Sequence, residues 1–183
     1  MSSELYRQVL GKQWQALAPS VRGAHANHCE ITGVFRITHG TGRLAKLLLR
    51  RSRLPPPAAA TNTRLIIFPD GSGERWERHF DNYGFITQQW PGQRGLLIER
   101  FRAWELCFKP RVKDGTLLYE QCGAKLCWGP WRIPMPLVCA PLVTASERPG
   151  GTARVLVSVR VTLPLAGLLI SYEGHLDLKG QTP

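Results

Sequence analysis

Glu173, His175 and Asp177 recur at alternate positions near the end of this 183-residue chain, and Ser158 and Arg160 occupy the segment before them. An acid, a base and a nucleophile type are therefore available to one face of a hairpin. Alternating polar residues are also what the solvated outer face of an antiparallel sheet requires, and the expectation is that these five do not meet in a concave site. No reaction is legible elsewhere, since the chain contains no G-x-S-x-G, H-E-x-x-H or P-loop sequence. No catalytic residue and no cofactor is assigned. An enzyme using the polar cluster of the last two strands stays open as an alternative.

Gly40-Thr41-Gly42-Arg43-Leu44-Ala45 satisfies the dinucleotide fingerprint G-x-G-x-x-G/A, following a strand and opening a helix. Its context is wrong for a nucleotide. The helix ends in Pro55-Pro56-Pro57, no acidic residue occurs before Asp70, and the preceding strand alternates where a central parallel strand would be apolar on both faces. A phosphate or other anionic head group at the helix start is the weaker use that survives.

His25, His28 and Cys29 cluster, and Cys122 and Cys127 lie five apart, but neither group has the paired spacing of a zinc site, so no metal is assigned. The five cysteines read as free thiols.

The charge is regional. Lys and Arg number 24 against 13 Asp and Glu, and from Ile31 to Pro69 there is no acid at all while seven basic residues accumulate. Gly40, Gly42, Arg43, Lys46, Arg50 and Arg53 are the candidate contacts for an anion or a membrane surface. With Leu44, Leu47 and Leu48 expected to pack inward, the attraction to anionic surfaces would be weak and salt-sensitive. No aromatic residue separates Phe35 from Phe68, which argues against nucleic acid.

The elements that would carry these residues are mostly strands. Eighteen Gly and 14 Pro in a chain 43% apolar exclude collagen and disorder and suit strands joined by tight turns. The period of Leu5, Val9, Leu10, Trp14 and Leu17 predicts an amphipathic helix over about 3–17, and a short basic helix follows over 42–51. Period-two alternation predicts strands over 29–38, 64–68, 75–80, 85–90, 95–101, 104–112 and 116–126, and a long terminal hairpin over 154–163 and 168–178.

The fold class is thus mainly β (α+β): a single domain, 1–183 with its core over about 3–179, built as a large curved antiparallel sheet or partial barrel of eight or nine strands. Two helices are too few to cover such a sheet flat, so it must curl around the N-terminal helix or around an interior space. The stretch from Trp128 to Pro141 holds four prolines and two tryptophans. It is expected to be non-regular and either to plug a barrel end or to form one wall of an apolar site. The candidate ligand contacts are Arg100, Trp104, Tyr119, Trp131, Arg132 and Tyr172. Without an apolar run of roughly 18 residues or an N-terminal export signal, the expected location is the cytoplasm.

The order of Tyr6 to Leu17, Gly42-Arg43-Leu44-Ala45-Lys46-Leu47-Leu48, Leu54-Pro55-Pro56, Trp76-Glu77-Arg78-His79-Phe80, Ile98-Glu99-Arg100-Phe101, Ile133-Pro134-Met135-Pro136, Leu163-Pro164-Leu165-Ala166-Gly167-Leu168-Leu169 and Tyr172-Glu173-Gly174 resembles a bacterial family of domains of unknown function. Members stand alone or are fused behind a saccharopine-dehydrogenase-like NAD-binding domain, a half absent from these residues. The resemblance implies a module serving a metabolic enzyme and brings no catalytic residue with it. Two functions follow as expectations: a non-catalytic module binding an apolar or amphipathic, lipid-like molecule, or a docking domain for a dehydrogenase-like partner.

Overall fold

The computed structural model describes residues 4–26, 30–52 and 54–178. Eleven antiparallel strands form one sheet: β1 (Glu30–His39), β2 (Ala58–Asp70), β3 (Gly73–Phe80), β4 (Tyr83–Pro91), β5 (Leu97–Phe101), β6 (Trp104–Lys113), β7 (Thr116–Trp128), β8 (Trp131–Pro134), β9 (Leu142–Pro149), β10 (Arg154–Leu163) and β11 (Gly167–Asp177). The sheet runs from β6 through β1 and β11 to β9 and β7, and β7 pairs back onto β6 from Lys113↔Thr116 to Trp104↔Leu126. Ten strands thereby close a barrel, and β8 is an extra strand on the far half of β7.

The nine expected strands are all present, and two were not foreseen. β8 falls within the proline-rich stretch expected to be non-regular; it is only four residues long and sits at an edge, where proline costs no ladder bond. β9 lacks a clean alternation, because its inward positions are Val143, Ala145 and Glu147, a mixture of apolar, small and charged.

Inward positions elsewhere follow the period of two: Ile31, Phe35 and Ile37 on β1, Leu65 and Ile67 on β2, Val155 on β10, Ile170 and Leu176 on β11 are all buried. Gly174 faces Phe35 across β1 and β11, and a Cβ there would collide with the Val34 carbonyl, so a side chain is excluded where the two strands crowd together.

The expected N-terminal helix is broken into α1 (Leu5–Leu10), a 3₁₀ segment (Gly11–Ala16) and α2 (Pro19–Ala26). Gly11 takes a positive φ that ends α1, while Pro19 opens α2 instead of terminating the first helix. Leu5, Val9, Leu10, Trp14 and Leu17 are nevertheless all buried, as their spacing requires. These helices cover the barrel end that carries the β4–β5, β6–β7 and β9–β10 turns. Ala18 N–H donates to the Gly115 carbonyl at 3.0 Å, and Val112 N–H donates to Gln13 Oε1 at 3.1 Å.

At the opposite end, α3 (Arg43–Ser52) bridges β1 and β2. Its leucines do not pack inward as expected: Leu44 is 45% and Leu47 56% exposed, and Leu48 is half-buried. The helix seats itself through fully buried Ala45 beside Gly40. That small contact brings the backbone close to β11 and turns Leu44 and Leu47 outward. No helix among the described residues is long and apolar enough to cross a membrane.

Candidate functional site in the barrel interior

A ten-stranded barrel is wider than the eight-stranded kind that side chains alone can fill. Here α1 and α2 occupy one end and the remainder is a cavity of about 220 Å³, room for roughly seven water molecules at their liquid volume. Its mouth lies at the α3 end, where Leu54, Phe85, Phe101, Trp104, Val143 and Val161 are only half-buried. His39 Nε2 holds the Pro55 carbonyl at 2.8 Å and fixes the proline-rich segment after α3 as one lip.

The floor, against the helices, is polar. Tyr6 is fully buried, and its single hydroxyl proton has Gln89 Oε1 as acceptor at 2.8 Å, with the Tyr119 oxygen at 3.0 Å as the alternative acceptor. Tyr119 donates to Glu147 Oε1 at 2.8 Å, and the other carboxylate oxygen lies 2.6 Å from His25 Nε2. Burial alone would raise the Glu147 carboxyl, but His25, then Tyr119 and Arg78, stabilise its ionised form and hold it below the usual carboxylate range. A carboxylate only accepts, so Nε2 carries the proton in this contact. His25 Nδ1 is buried with no hydrogen-bond partner among the described residues.

Burial, reinforced by the Glu147 charge, pushes the Tyr6 and Tyr119 hydroxyls well above the ordinary phenol range, and both stay neutral donors. Arg78 donates to Thr87 Oγ1 at 2.8 Å, lies 3.7 Å from Glu99 and sits over the Trp76 ring at 5.0 Å. Burial pushes the Tyr172 hydroxyl up to about 12 although Arg78 pulls the other way.

Of the six expected ligand contacts, Trp104, Tyr119 and Tyr172 line this cavity. The other three do not. Arg100 points to the outer surface, one position out of phase with inward Glu99 and Phe101. Trp131 is 70% exposed and its strand stands outside the cavity lining, whereas at the other end of the stretch from Trp128 to Pro141, Pro141 lines the cavity and Met135 and Leu137 pack against the core. Arg132 is exposed and donates to the Gly129 and Trp131 carbonyls.

Tyr6, His25, Arg78, Gln89, Glu99 and Glu147 were not foreseen. Arg78 and Glu99 carried a readable signal, being charged residues at in-phase positions of alternating strands, Trp76-x-Arg78-x-Phe80 and Leu97-x-Glu99-x-Phe101. His25 and Tyr6 carried none, because their partners lie 122 and 83 residues away.

The C-terminal polar cluster lies on the outside of the barrel. His175 Nε2 is 3.5 Å from Asp177, Arg154 donates to Asp177 at 2.7 Å, and Ser158 reaches Glu173 at 3.4 Å. None of these lines the cavity.

Among the candidate anion contacts, Gly40 is buried, donates its N–H to the Leu169 carbonyl at 2.9 Å and has no room for a Cβ against Leu168. Its N–H is therefore spent on β11, leaving the fingerprint motif without that donor. Gly42, Arg43, Lys46 and Arg50 are exposed, and Arg53, like His28 and Cys29, lies outside the described residues.

No curated protein matches the chain. In structure it is similar to a protein of unknown function from the DUF3598 family of Nostoc punctiforme, with a TM-score of 0.48 at 11% identity over 81% of this chain and 46% of that one. The chain thus spans about half the length of that protein. Residues 17–176 match the family model described as Domain of unknown function (DUF4166), and the chain belongs to that family.

Proposed function

We propose that this domain is a non-catalytic binding module that holds an apolar or amphipathic small molecule inside the barrel, its apolar part toward the mouth and its polar end on the floor. The observation that supports this most is the cavity of about 220 Å³, walled by Phe85, Phe101, Trp104 and the valines of β10, with a few polar groups gathered at one end. The polar end is a hydroxyl or carbonyl. Arg78 is already matched by Glu99 and Thr87, and Glu147 by His25 and Tyr119, so a ligand carboxylate would meet two carboxylates and no unmatched cation.

Native mass spectrometry of the purified protein and displacement of an environment-sensitive dye test the reading. A medium-chain alcohol should displace the dye at least about ten-fold better than the acid of equal length. A protein that takes up neither dye nor alcohol would contradict it.

A second reading, docking onto a dehydrogenase-like partner, is favoured by Trp128 and Trp131, which are 74% and 70% exposed at the β7–β8 turn. A pull-down with a dehydrogenase-like NAD-binding domain, lost in Trp128→Ser/Trp131→Ser, would support it; no capture by the unaltered protein would contradict it.

A further inference from the structure

The outer face of α3 joins apolar and basic side chains in one surface. Lys46, Arg50, Arg43 and Arg51 share the exposed arc with Leu47 and Leu44, while Ala45, Leu48, Leu49 and Ser52 form the inner arc. Helical spacing puts Leu47 between Arg43 and Arg51, and Leu44 beside Arg51 at the edge of the arc, so both exposed leucines adjoin positive charge on the helix itself. The turn joining β10 to β11 lies alongside, and its Leu165 is 90% exposed. A Cβ at Gly42 would come within 3.6 Å of the Ala166 carbonyl, which places that turn against the start of α3. The sequence from Ile31 to Pro69 offers no carboxylate to neutralise the helix. Ser52 at the end of α3 lines the cavity together with Leu54 and Pro55, so the end of this helix borders the mouth.

We propose that this face is a membrane-docking surface that seats the barrel mouth-down on an anionic phospholipid bilayer, with Leu44, Leu47 and Leu165 in the acyl boundary and Arg43, Lys46, Arg50 and Arg51 on the lipid phosphates. Charge complementarity selects this occupant. Three isolated leucines fit a fluid interface that closes around each of them, and the four cations on the same exposed arc as two of them match a plane of phosphates. Both the leucines and the cations are needed, since either alone binds a bilayer weakly. The docking does not depend on the reading of the cavity, although it would give a lipid-like ligand a path that avoids water.

Cosedimentation of the full chain with vesicles tests it. The protein should sediment with phosphatidylglycerol/phosphatidylcholine vesicles and not with phosphatidylcholine alone, and binding to the mixed vesicles should persist at physiological salt because the leucines insert. Lys46→Glu/Arg50→Glu should lower partitioning by about ten-fold or more. Leu44→Ser/Leu47→Ser should leave attraction only at low salt. Lys12→Glu/Arg148→Glu removes the same charge from exposed residues at the helix-covered end and should change binding far less than the α3 reversal. Circular dichroism and the melting temperature report whether each variant is folded, and both should be unchanged. Equal losses in the two charge reversals, or no sedimentation of the unaltered protein with anionic vesicles at low salt, would overturn the proposal. If the cavity takes no ligand but the α3 effect stands, only the binding-module reading fails.

Discussion

The two ends of the barrel are built on opposite principles. At the helix-covered end, polar groups are buried against one another: Tyr6, Gln89, Tyr119, Glu147 and His25 form one run of polar contacts from helix to strand to helix, with His25 Nδ1 left without a partner among the described residues. At the α3 end, apolar groups are left half-buried or exposed, and charge sits outside them. A soluble core would place these the other way round, so both ends carry an energetic cost unless each has a use. The floor does two jobs: it ties α1 and α2 to three different strands, and it gives the cavity its polar pole. The open end leaves apolar side chains half-exposed around the cavity mouth.

The largest expected effect of breaking this contrast is at the floor. Glu147→Ala removes the acceptor of both His25 and Tyr119 and should cost about 3 kcal/mol of unfolding free energy, read from urea denaturation. Filling the open part should do the reverse. Val159→Trp places a ring in the cavity and should abolish dye uptake while leaving the melting temperature within a few degrees of the unaltered protein, a difference of about 1 kcal/mol.

Tyr119→Phe keeps the ring and loses the hydroxyl shared between Tyr6 and Glu147, for about 1 kcal/mol of stability. The loss should be smaller than that of Glu147→Ala because Glu147 retains His25.

The smallest effect is in pH. The Glu147 carboxyl is lowered in the folded state, so the stability it contributes is present above the unfolded value of about 4.5 and is lost as pH falls through the lower folded value. The gap in melting temperature between the unaltered protein and Glu147→Gln should therefore narrow as the pH is taken below 4.5, and a gap that widens would contradict the stabilisation of the ionised Glu147 carboxylate.

Much of the β architecture was readable because alternation is local: Val155, Val157, Val159 and Val161 announce their strand and its inner face without reference to any partner. The curling of the sheet was also legible, from the shortage of helix to cover it. Closure was not, since β7 pairs with β6 over 116–126 and also with β9 over 117–120 and with β8 over 125–128, and no single residue encodes that sharing. β9 escaped because Glu147 breaks its apolar face, and Glu147 is central to the floor. The residue that hid the strand is the residue that makes the site polar. α3 misled for a related reason: its leucine spacing is that of a core helix, but Ala45 and Gly40 set the seat, and a close seat on small residues faces the leucines outward.

The most direct test of a ligand-holding interior is methyl NMR during titration with 1-decanol. The account predicts saturable shifts of the Val157, Val159, Val161 and Leu169 methyls, which line the cavity, with Val34 and Ile86 on the outer surface unmoved. Interior methyls that stay fixed at saturating alcohol, or outer methyls that shift as much, would contradict it.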